Sequence, residues 1–459
     1  MGVSGRIQPS IPPETVPQSR SDNRVADARG VYASRAADRG TGAGYKNSEI
    51  GTIPVDWDLL PLGSLYRFSN GVNADKEAYG QGTPFINVLE VITNSHLQEP
   101  HIPGKVLLGK TERETFSVLP GDVLFNRTSE TQEEVGLSAV YCGQAPVVFG
   151  GFVIRGRAVS NLLDATYAGY GLRALSVRRQ IVAQGQGAIR SNIGQASLRR
   201  VQVPLPILDE QRAIAEALSD VDGLLRALDA LIAKKRAIKQ AAMQQLLTGK
   251  TRLPGFSGEW GEKKLGDLSE MGSGGTPPTS NRDYYGGGIP WVSISDMTNV
   301  GRVIRHTERT LSAAGLANSA TQMFPAGTVL YAMYASIGEC SVAGVPLCTS
   351  QAILGIRPRG GLNATFLYHW LCDQKDRVKG LGQQGTQANL SKALVQSLCI
   401  RCPKIEEQEA VASVLDDIDI EIAALERRRE KTRSMKQGMM QQLLTGRVRL
   451  IQPTGAADA

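Results

Sequence analysis

The chain has 459 residues, 41% of them hydrophobic and 21% charged, and its formal net charge is +7. A pI near 9.0 permits a nucleic-acid partner but does not establish one. No apolar run approaches the roughly 18 residues of a membrane-spanning helix, and the N-terminus lacks the apolar core of a signal peptide. Six irregularly spaced cysteines do not resemble a disulfide framework. We therefore expect a cytoplasmic protein of about two to four domains that has no membrane partner.

The two ends of the chain are predicted to be tails. Residues 1–45 carry prolines at positions 9, 12, 13 and 17, scattered charges and few aromatic residues, Tyr32 and the last residue Tyr45. This composition cannot bury enough apolar surface to fold and predicts a disordered segment. Residues 451–459 are predicted to form a second, shorter tail.

Residues 46–205 and 254–402 are predicted to form two α+β domains that share a scaffold and differ in their loops. Short β-type runs between Gly and Pro turns dominate both segments. Each segment has a Trp followed six residues later by Gly, a proline-led turn that feeds an apolar strand, and a late polar, glycine-rich run. The paired positions are, in order, Trp57 and Trp260, 119–125 and 324–331, and 184–193 and 382–390.

Residues 206–253, which follow the first domain, return as residues 403–450 after the second domain. The copies align without a gap at an offset of 197, and 23 of their 48 positions are identical. The block Met243–Gly249 recurs residue for residue as Met440–Gly446. Two copies exclude a solenoid. The chain is therefore predicted to run as variable domain, central helix, variable domain, C-terminal helix.

Each copy is predicted to form one long helix that ends at a glycine, with an apolar seam along it. Apolar residues alternate at spacings of four and three, and in the second copy the pattern breaks at Arg429. It is expected to resume at Ile238, Ala242 and Leu246 and, in the second copy, at Met435, Met439 and Leu443. A helix from Asp209 to Leu247 would be about 58 Å long. The seam residues predicted to bind a partner helix are Ile214, Leu218, Val221, Leu225, Leu228, Val411, Leu415, Ile418, Ile422 and Leu425.

Charge predicts how the two helices pair. The first half of each copy is mainly acidic and the second half mainly basic. An antiparallel pair places each acidic half against a basic half, whereas a parallel pair places like charges together. We therefore predict an α+β protein with two similar domains separated by a long antiparallel coiled coil, a rod with a domain at each end. The alternative, two unrelated amphipathic helices packed on their own domains, is disfavoured by the near-identity of the copies.

Catalytic and metal-binding patterns are weak. Gly249-Lys-Thr251 resembles the end of a phosphate-binding loop, but position 244 is Gln and a helix, not a strand, precedes it. Cys399 and Cys402 form a lone CxxC, and the four histidines lack ligand or triad spacing. The chain also lacks the Gly-x-Gly and Asn/Asp-Pro-Pro-aromatic motifs of an adenine methyltransferase. We predict a non-catalytic chain that binds no metal.

The arrangement resembles the specificity subunit of Type I restriction-modification systems. The resemblance covers roughly 46–450, and the paired Gln-Gln-Leu-Leu-Thr-Gly is its strongest signal. The residues that carry it are Trp-x5-Gly at 57 and 260, Pro-x3-Glu-Gln at 206–211 and 403–408, Gly-Thr-Gln-Ala-Asn-Leu at 385–390, and Gln-Gln-Leu-Leu-Thr-Gly at both helix ends.

The resemblance implies that each variable domain is a target-recognition domain reading one half of a bipartite double-stranded DNA sequence. It implies that the helices set the spacing and hold two methyltransferase subunits, and that a restriction and translocase subunit can join. No cofactor is expected on this chain, whereas S-adenosylmethionine, ATP and Mg are expected on the partners. Two domains held on a rigid rod would read half-sites about 34 Å apart on one face of the duplex.

The polar loops are the candidate DNA contacts, because Arg and Gln side chains can bond guanine and adenine in two places. The alternative is that they are ordinary solvated turns. The candidates are Asn126, Arg127, Thr128, Ser129, Gln186, Arg190, Ser191, Arg282, Tyr284, Tyr331, Tyr334, Ser336, Gln384, Thr386 and Gln387.

Two other functions stay open at this point. One is a coiled-coil scaffold with two protein-binding heads, which would show no sequence-specific, salt-dependent DNA binding. The other is a fused modification enzyme, which the missing methyl-donor motifs disfavour.

Overall fold

The computed structural model describes residues 44–185, 187, 190–382 and 389–451. The chain divides into two compact units. Unit 1 holds the chain up to Ser219 together with the part from Gln437 onward, and unit 2 holds Asp220–Lys436. Within the described residues, no helix is both long and apolar enough to cross a membrane.

Unit 1 contains fifteen described strands and six short helices, besides parts of the two long helices. The strands are β1 (Tyr45–Ser48), β2 (Gly51–Pro54), β3 (Asp58–Pro61), β4 (Tyr66–Asn70), β5 (Tyr79–Ile86), β6 (His96–Leu97), β7 (Lys105–Val106), β8 (Ser117–Val118), β9 (Val123–Asn126), β10 (Thr128–Ser129), β11 (Ser138–Tyr141), β12 (Val147–Phe149), β13 (Val153–Ala158), β14 (Ser191–Asn192) and β15 (Gln202–Leu205). The helices are α1 (Leu62–Leu65), α2 (Val88–Thr93), α3 (Lys110–Thr115), α4 (Ala165–Gly171), α5 (Leu175–Ala183) and α6 (Gln195–Arg200), and the long α7 (Leu208–Leu246) begins here.

Two sheets form the body of unit 1. The first has the strand order β4-β13-β9-β11-β6 and the second has the order β7-β5-β12-β8. Strand β9 is central because the apolar run Val123–Phe125 is buried on both faces. One face of its sheet packs through Phe125 onto a core that extends to Ile214 and Leu218 of α7. Tyr45, predicted to close the disordered tail, instead begins β1, which pairs with β2.

Unit 2 contains ten described strands and six short helices. The strands are β16 (Gly261–Lys264), β17 (Ser269–Ser273), β18 (Tyr285–Val292), β19 (Val303–Ile304), β20 (Arg309–Leu311), β21 (Val329–Ala332), β22 (Cys340–Ala343), β23 (Cys348–Thr349), β24 (Ile353–Pro358) and β25 (Cys399–Cys402). The helices are α8 (Leu265–Leu268), α9 (Ile294–Val300), α10 (Ala313–Ala317), α11 (Ala364–Asp373), α12 (Lys375–Gly382) and α13 (Lys392–Ser397), followed by the long α14 (Ile405–Leu443), whose last turns belong to unit 1.

The sheets of unit 2 repeat those of unit 1. Its five-stranded sheet has the order β17-β24-β21-β22-β19 and its second sheet the order β20-β18-β23. These strands correspond one to one with β4-β13-β9-β11-β6 and β7-β5-β12. In each five-stranded sheet the edge strand is parallel to its neighbour, β6 to β11 in unit 1 and β19 to β22 in unit 2. The prediction of two similar α+β domains, made from faint sequence similarity, is confirmed.

The long helices α7 and α14 each contain 39 residues and pair antiparallel. Helix α7 begins and ends one residue earlier than the span predicted from the sequence. Within unit 2, Lys239 lies 2.6 Å from Asp419, Arg429 lies 3.1 Å from Asp229, and Lys436 lies 2.6 Å from Asp222. As the position rises along one helix it falls along the other, so each acidic half meets a basic half. The antiparallel pairing predicted from charge is confirmed.

The seam differs from the prediction in its basic halves. Ile238 and Met435, where the apolar pattern was expected to resume, are 43% and 56% exposed. The three-four spacing instead continues through Lys235 and Lys239 of α7, both half-buried, and through buried Thr432 of α14. Lysine can occupy a seam because its stem packs against apolar neighbours while its ammonium group pairs with a carboxylate. The predicted resumption was therefore wrong at Ile238 and Met435, whereas Ala242, Leu246, Met439 and Leu443 are buried or half-buried as predicted. The ten predicted seam residues are all buried or half-buried.

Candidate nucleic-acid interface

A cluster that we call the helix-end anchor joins the repeated motifs in unit 1. Trp57 Nε1 donates a hydrogen bond of 3.0 Å to Glu210 Oε2, and Glu210 is fully buried. Arg449, just beyond α14, donates to Glu210 at 2.6 and 2.8 Å and to Asp56 at 2.9 and 2.6 Å. The bonds from Arg449 hold the pKa of Asp56 below its usual value. The motifs at Trp57, at Glu210 and after the C-terminal helix therefore meet at one point.

Unit 2 has the corresponding helix-end anchor. Arg252, beyond α7, binds both carboxylate oxygens of Glu407 at the start of α14. Its guanidinium carbon lies 5.7 Å from the Trp260 ring, as that of Arg449 lies 5.8 Å from the Trp57 ring. Among the described residues Trp260 Nε1 finds no acceptor, which distinguishes this anchor from that of unit 1. Each anchor ties a domain to the start of one long helix and the end of the other.

The Gln of each Pro-x3-Glu-Gln motif makes three matching hydrogen bonds. Gln211 accepts from the backbone N–H of Asp164 at 2.8 Å and donates to the carbonyls of Leu162 and Pro206. Gln408 bonds in the same way to the N–H of Asn363 and to the carbonyls of Gly361 and Pro403. Each Gln therefore fixes its helix to the loop between the sheet and the following helix.

The glycines that end the long helices are required by geometry. Gly249 and Gly446 have φ of 71° and 67°, which glycine adopts most easily. A Cβ on Gly446 would lie 2.3 Å from Pro54 Cγ, and one on Gly249 would lie 3.2 Å from the Trp260 ring. The paired Thr-Gly is thus part of the anchors, and these motifs build the scaffold rather than a contact surface.

The polar loops of unit 1 come together at one edge of its five-stranded sheet. This edge, where β4 and β9 end and β13 begins, is formed by residues 70–73, 127–129, 150–152 and 190–195, and we call it loop edge 1. Gln195 Nε2 donates to Asn70 Oδ1 at 3.0 Å, and Thr128 Oγ1 donates to Asn192 Oδ1 at 2.7 Å. Four segments that are distant in the sequence thus share one surface.

Loop edge 2 is the corresponding edge of unit 2, formed by residues 273–276, 333–336, 350–352 and 389–391. The Thr276 hydroxyl donates to Gln351 Oε1, and the backbone N–H of Gly275 donates to the Thr349 carbonyl. Ala335, in the loop after β21, has φ of 59°, a conformation uncommon for a residue with a Cβ. The same strands therefore present a second, chemically different surface.

Thirteen of the fifteen predicted DNA contacts fall into three groups, and the other two, Arg282 and Tyr284, lie elsewhere in unit 2. Those exposed or half-buried on the loop edges are Arg127, Thr128, Arg190, Tyr334 and Ser336. Those buried beneath the edges are Asn126, Ser129, Ser191 and Tyr331. Those outside the described residues are Gln186, Gln384, Thr386 and Gln387.

The buried candidates shape the loops from within. Asn126 donates from its amide to the Glu134 carbonyl, and Ser129 donates to the Glu134 carboxylate at 3.0 Å. Arg282 and Tyr284 lie in a short 3-10 helix that precedes β18. A DNA contact by any of these candidates stays a prediction. The loop edges also carry four residues that the sequence did not single out as candidate contacts, Asn73, Phe152, Thr276 and Gln351. Each lies in a short turn that has no sequence pattern of its own.

Among the described residues, one group of His, Cys, Asp or Glu side chains is close enough to hold a metal ion. His369, Asp416 and Asp419 offer ligand atoms within 4.8 Å of one another. However, Arg302 lies 2.6 Å from Asp416 and Lys239 lies 2.6 Å from Asp419, so cationic side chains already neutralise both carboxylates. Burial lowers the pKa of His369 although its bond to Asp416 opposes this. The arrangement favours an ion-pair network that fixes α11 to α14.

A family model for the Type I restriction modification DNA specificity domain matches residues 54–237 and again residues 257–432. The chain belongs to this family. The two matches coincide with the two copies of the scaffold, and each reaches into a long helix. A specificity subunit is the non-catalytic part of a Type I complex, as was predicted for this chain.

Curated relatives match between about half and nearly the whole of the chain. The type I restriction enzyme MjaX specificity subunit of Methanocaldococcus jannaschii is 25% identical over 423 residues, which cover 88% of this chain and 97% of the relative. The EcoR124I/EcoR124II specificity subunit of Escherichia coli is 23% identical over 48% of this chain and 55% of its own length.

Solved structures share the fold. An S subunit of a Type I restriction-modification system from M. genitalium superposes with a TM-score of 0.54 at 16% identity, over 84% of this chain and 96% of that one. A chain from a structure on complex assembly and conformational transition of the type I R-M system superposes with a TM-score of 0.56 at 20% identity, over 86% of this chain and 99% of that one. At these identities the likeness concerns the fold alone.

Proposed function

We propose that this specificity subunit reads a bipartite DNA target, with one half-site contacted by loop edge 1 and the other by loop edge 2. The observation that carries the proposal is that one strand scaffold, built twice, presents two different sets of polar side chains. Base edges are distinguished by the donors and acceptors that a protein presents in the groove, so different half-sites require different side chains on equivalent loops. The domain limits that we propose are 46–205 and 254–402.

Single-molecule methylation sequencing of the host genome, with and without this gene, tests the proposal. The expected result is loss of adenine methylation at one split motif, two short specific sequences around a fixed gap. An unchanged methylome in a host whose partner genes are intact and expressed would contradict DNA recognition. It would favour the scaffold with two protein-binding heads.

The long helices are proposed to bind two methyltransferase subunits, and an exposed apolar stripe on α7 supports the docking of one of them. Leu224, Leu231 and Ile238 recur every seven residues, each directly before a seam position, and are each about 40% exposed. A heptad of exposed apolar residues is the pattern against which a further helix packs. The corresponding positions of α14 are Glu421, Arg428 and Met435, so the stripe belongs to α7.

Substitution of Leu231 tests the stripe. Leu231→Glu should weaken binding of the methyltransferase subunit about tenfold, because it places a charge in an apolar contact. The matched control is Met435→Glu on α14, which should have a smaller effect. Analytical ultracentrifugation of the mixed subunits measures both. Equal binding by Leu231→Glu and the wild type would place the docking surface elsewhere.

The remaining partners follow from the same assignment. S-adenosylmethionine is proposed to bind the methyltransferase subunits, and ATP and Mg are proposed to serve a restriction and translocase subunit when one joins. Isolation of the complex from its host, with identification of its subunits by mass spectrometry, tests whether a restriction subunit is present.

A further inference from the structure

The two loop edges can be compared position by position, because matching backbone hydrogen bonds define the correspondence. The N–H of Arg127 donates to the Phe152 carbonyl at 2.9 Å, and the N–H of Met333 donates to the Ala352 carbonyl at 2.8 Å. The bonds from Gly150 to Ile86 and from Ser350 to Val292 align the preceding residues. Positions 127, 151 and 152 therefore correspond to 333, 351 and 352.

A second pair of bonds aligns the ends of β4 and β17. The N–H of Val72 donates to the Phe149 carbonyl at 3.0 Å, and the N–H of Gly275 donates to the Thr349 carbonyl at 2.9 Å. Asn73 and Thr276, each the next residue, therefore occupy the same place. Four equivalent positions on each edge are thus fixed by the scaffold.

The side chains at these four positions differ in kind. Unit 1 presents the exposed guanidinium of Arg127 and the ring of Phe152, which is 55% exposed. In unit 2 these positions hold Met333, which is 3% exposed, and Ala352. Unit 2 instead exposes the carboxamide of Gln351, where unit 1 has Gly151. The same backbone thus offers a cation and an apolar ring on one edge and a carboxamide on the other.

The polar groups at these positions are held in place. Arg127 Nη1 donates to the Gly151 carbonyl at 3.4 Å. Gln351 Oε1 accepts from the Thr276 hydroxyl and keeps a second lone pair, and among the described residues Nε2 has no acceptor. A Cβ built on Gly151 would lie 1.9 Å from Asn73 Oδ1. In unit 1 the Asn73 side chain therefore occupies the space that the Gln351 side chain takes in unit 2, and it would have to rotate away to admit a side chain at position 151.

We propose that these four positions set the half-site that each domain reads. Gln351, oriented by Thr276, reads an adenine in the half-site of the second domain through its free donor and acceptor. Arg127 reads a guanine in the half-site of the first domain, and Phe152 packs against a thymine methyl group beside it. These pairings follow from the groups that each base presents in the major groove. The proposal rests on the proposed function, DNA recognition by the loop edges.

Methylation kinetics of the assembled complex test the proposal. The wild-type chain and Gln351→Ala, each with the methyltransferase subunits, are assayed on duplexes that carry every single base-pair change in the target. Gln351→Ala should lower discrimination roughly 5- to 150-fold at one A·T pair of one half-site and leave the other half-site unchanged. Thr276→Ala should give a smaller loss at the same base pair. The control is Arg357→Ala, an exposed residue at the far end of β24, which should leave discrimination intact.

The reciprocal experiment introduces the unit 2 residues at the matching positions of unit 1. The double variant Asn73→Thr with Gly151→Gln should introduce an adenine preference into the half-site of the first domain. Gly151→Gln alone should introduce a weaker one, because Asn73 must first rotate away and no threonine hydroxyl orients the new side chain. Unchanged discrimination by folded, active Gln351→Ala would overturn the assignment of these positions while leaving recognition by the domains intact. Absence of any split motif for the wild-type complex would instead contradict the proposed function. Thermal unfolding of each variant identifies any that fail to fold.

Discussion

At the scale of single residues, the helix-end anchor is where one substitution should cost most. Replacing Arg449 by Met leaves Glu210 fully buried without its cation. Removal of one partner of a buried ion pair destabilises a fold by about 3–5 kcal/mol. Denaturant unfolding should therefore show a loss of this size for the transition of unit 1. The matched control is Arg447→Met, an exposed residue two positions earlier, which should change the free energy of unfolding by less than about 0.5 kcal/mol.

Acid sensitivity is a second prediction for single residues. Glu99 accepts hydrogen bonds from the backbone N–H groups of Ala145 and Gln144, and these bonds hold its pKa at about 2. Because the folded-state pKa lies below the ordinary value, the stabilisation is fully present above about pH 4.5 and is lost as the pH falls towards 2. Glu99→Gln should therefore flatten the decrease in melting temperature between pH 5 and pH 3. An unchanged slope would show that other carboxylates dominate acid unfolding.

At the scale of elements, the sequence predicted the long helices, which have a periodic apolar pattern. It did not predict burial at a position that holds a charged residue. The spans of α7 and α14 follow from their apolar period, and their antiparallel pairing follows from charge. The burial of Lys239 in the seam was not predicted, because hydropathy scales count lysine as polar although its aliphatic stem packs against apolar neighbours. The role proposed for Gln351 was not predicted from the sequence, because its bond to Thr276 joins segments 75 residues apart. Adjacency of that kind is created by the sheet and has no local signal.

A charge exchange tests the antiparallel pairing at the element scale. Lys239→Asp places a second carboxylate next to that of Asp419. It should destabilise the helix pair by about 1–2 kcal/mol. The reverse change, Asp419→Lys, should have a similar effect alone, and the double variant should recover most of the loss. A double-mutant cycle on the free energy of unfolding measures the coupling. Additive losses would show that the two side chains do not interact.

At the scale of the whole molecule, the duplication predicts that the half-sites can be exchanged one at a time. Each unit has its own sheets, its own loop edge and its own helix-end anchor. A donor segment for residues 46–205 must keep the Trp that corresponds to Trp57, because its indole N–H binds Glu210 of α7. A donor that supplies it should fold onto the existing helices.

The exchange of residues 46–205 should change one half of the split motif and leave the other half and the gap unchanged. The gap is expected to stay constant because the exchange does not alter α7 or α14. The half-site of the second domain is expected to stay constant because the exchange does not alter loop edge 2. Methylation sequencing of a host that carries the chimera measures all three. The control is a chimera whose donor residue at position 57 is Phe, which loses the bond to Glu210 and should assemble poorly while reading the same sequence. A change in both half-sites would show that the two domains do not read independently.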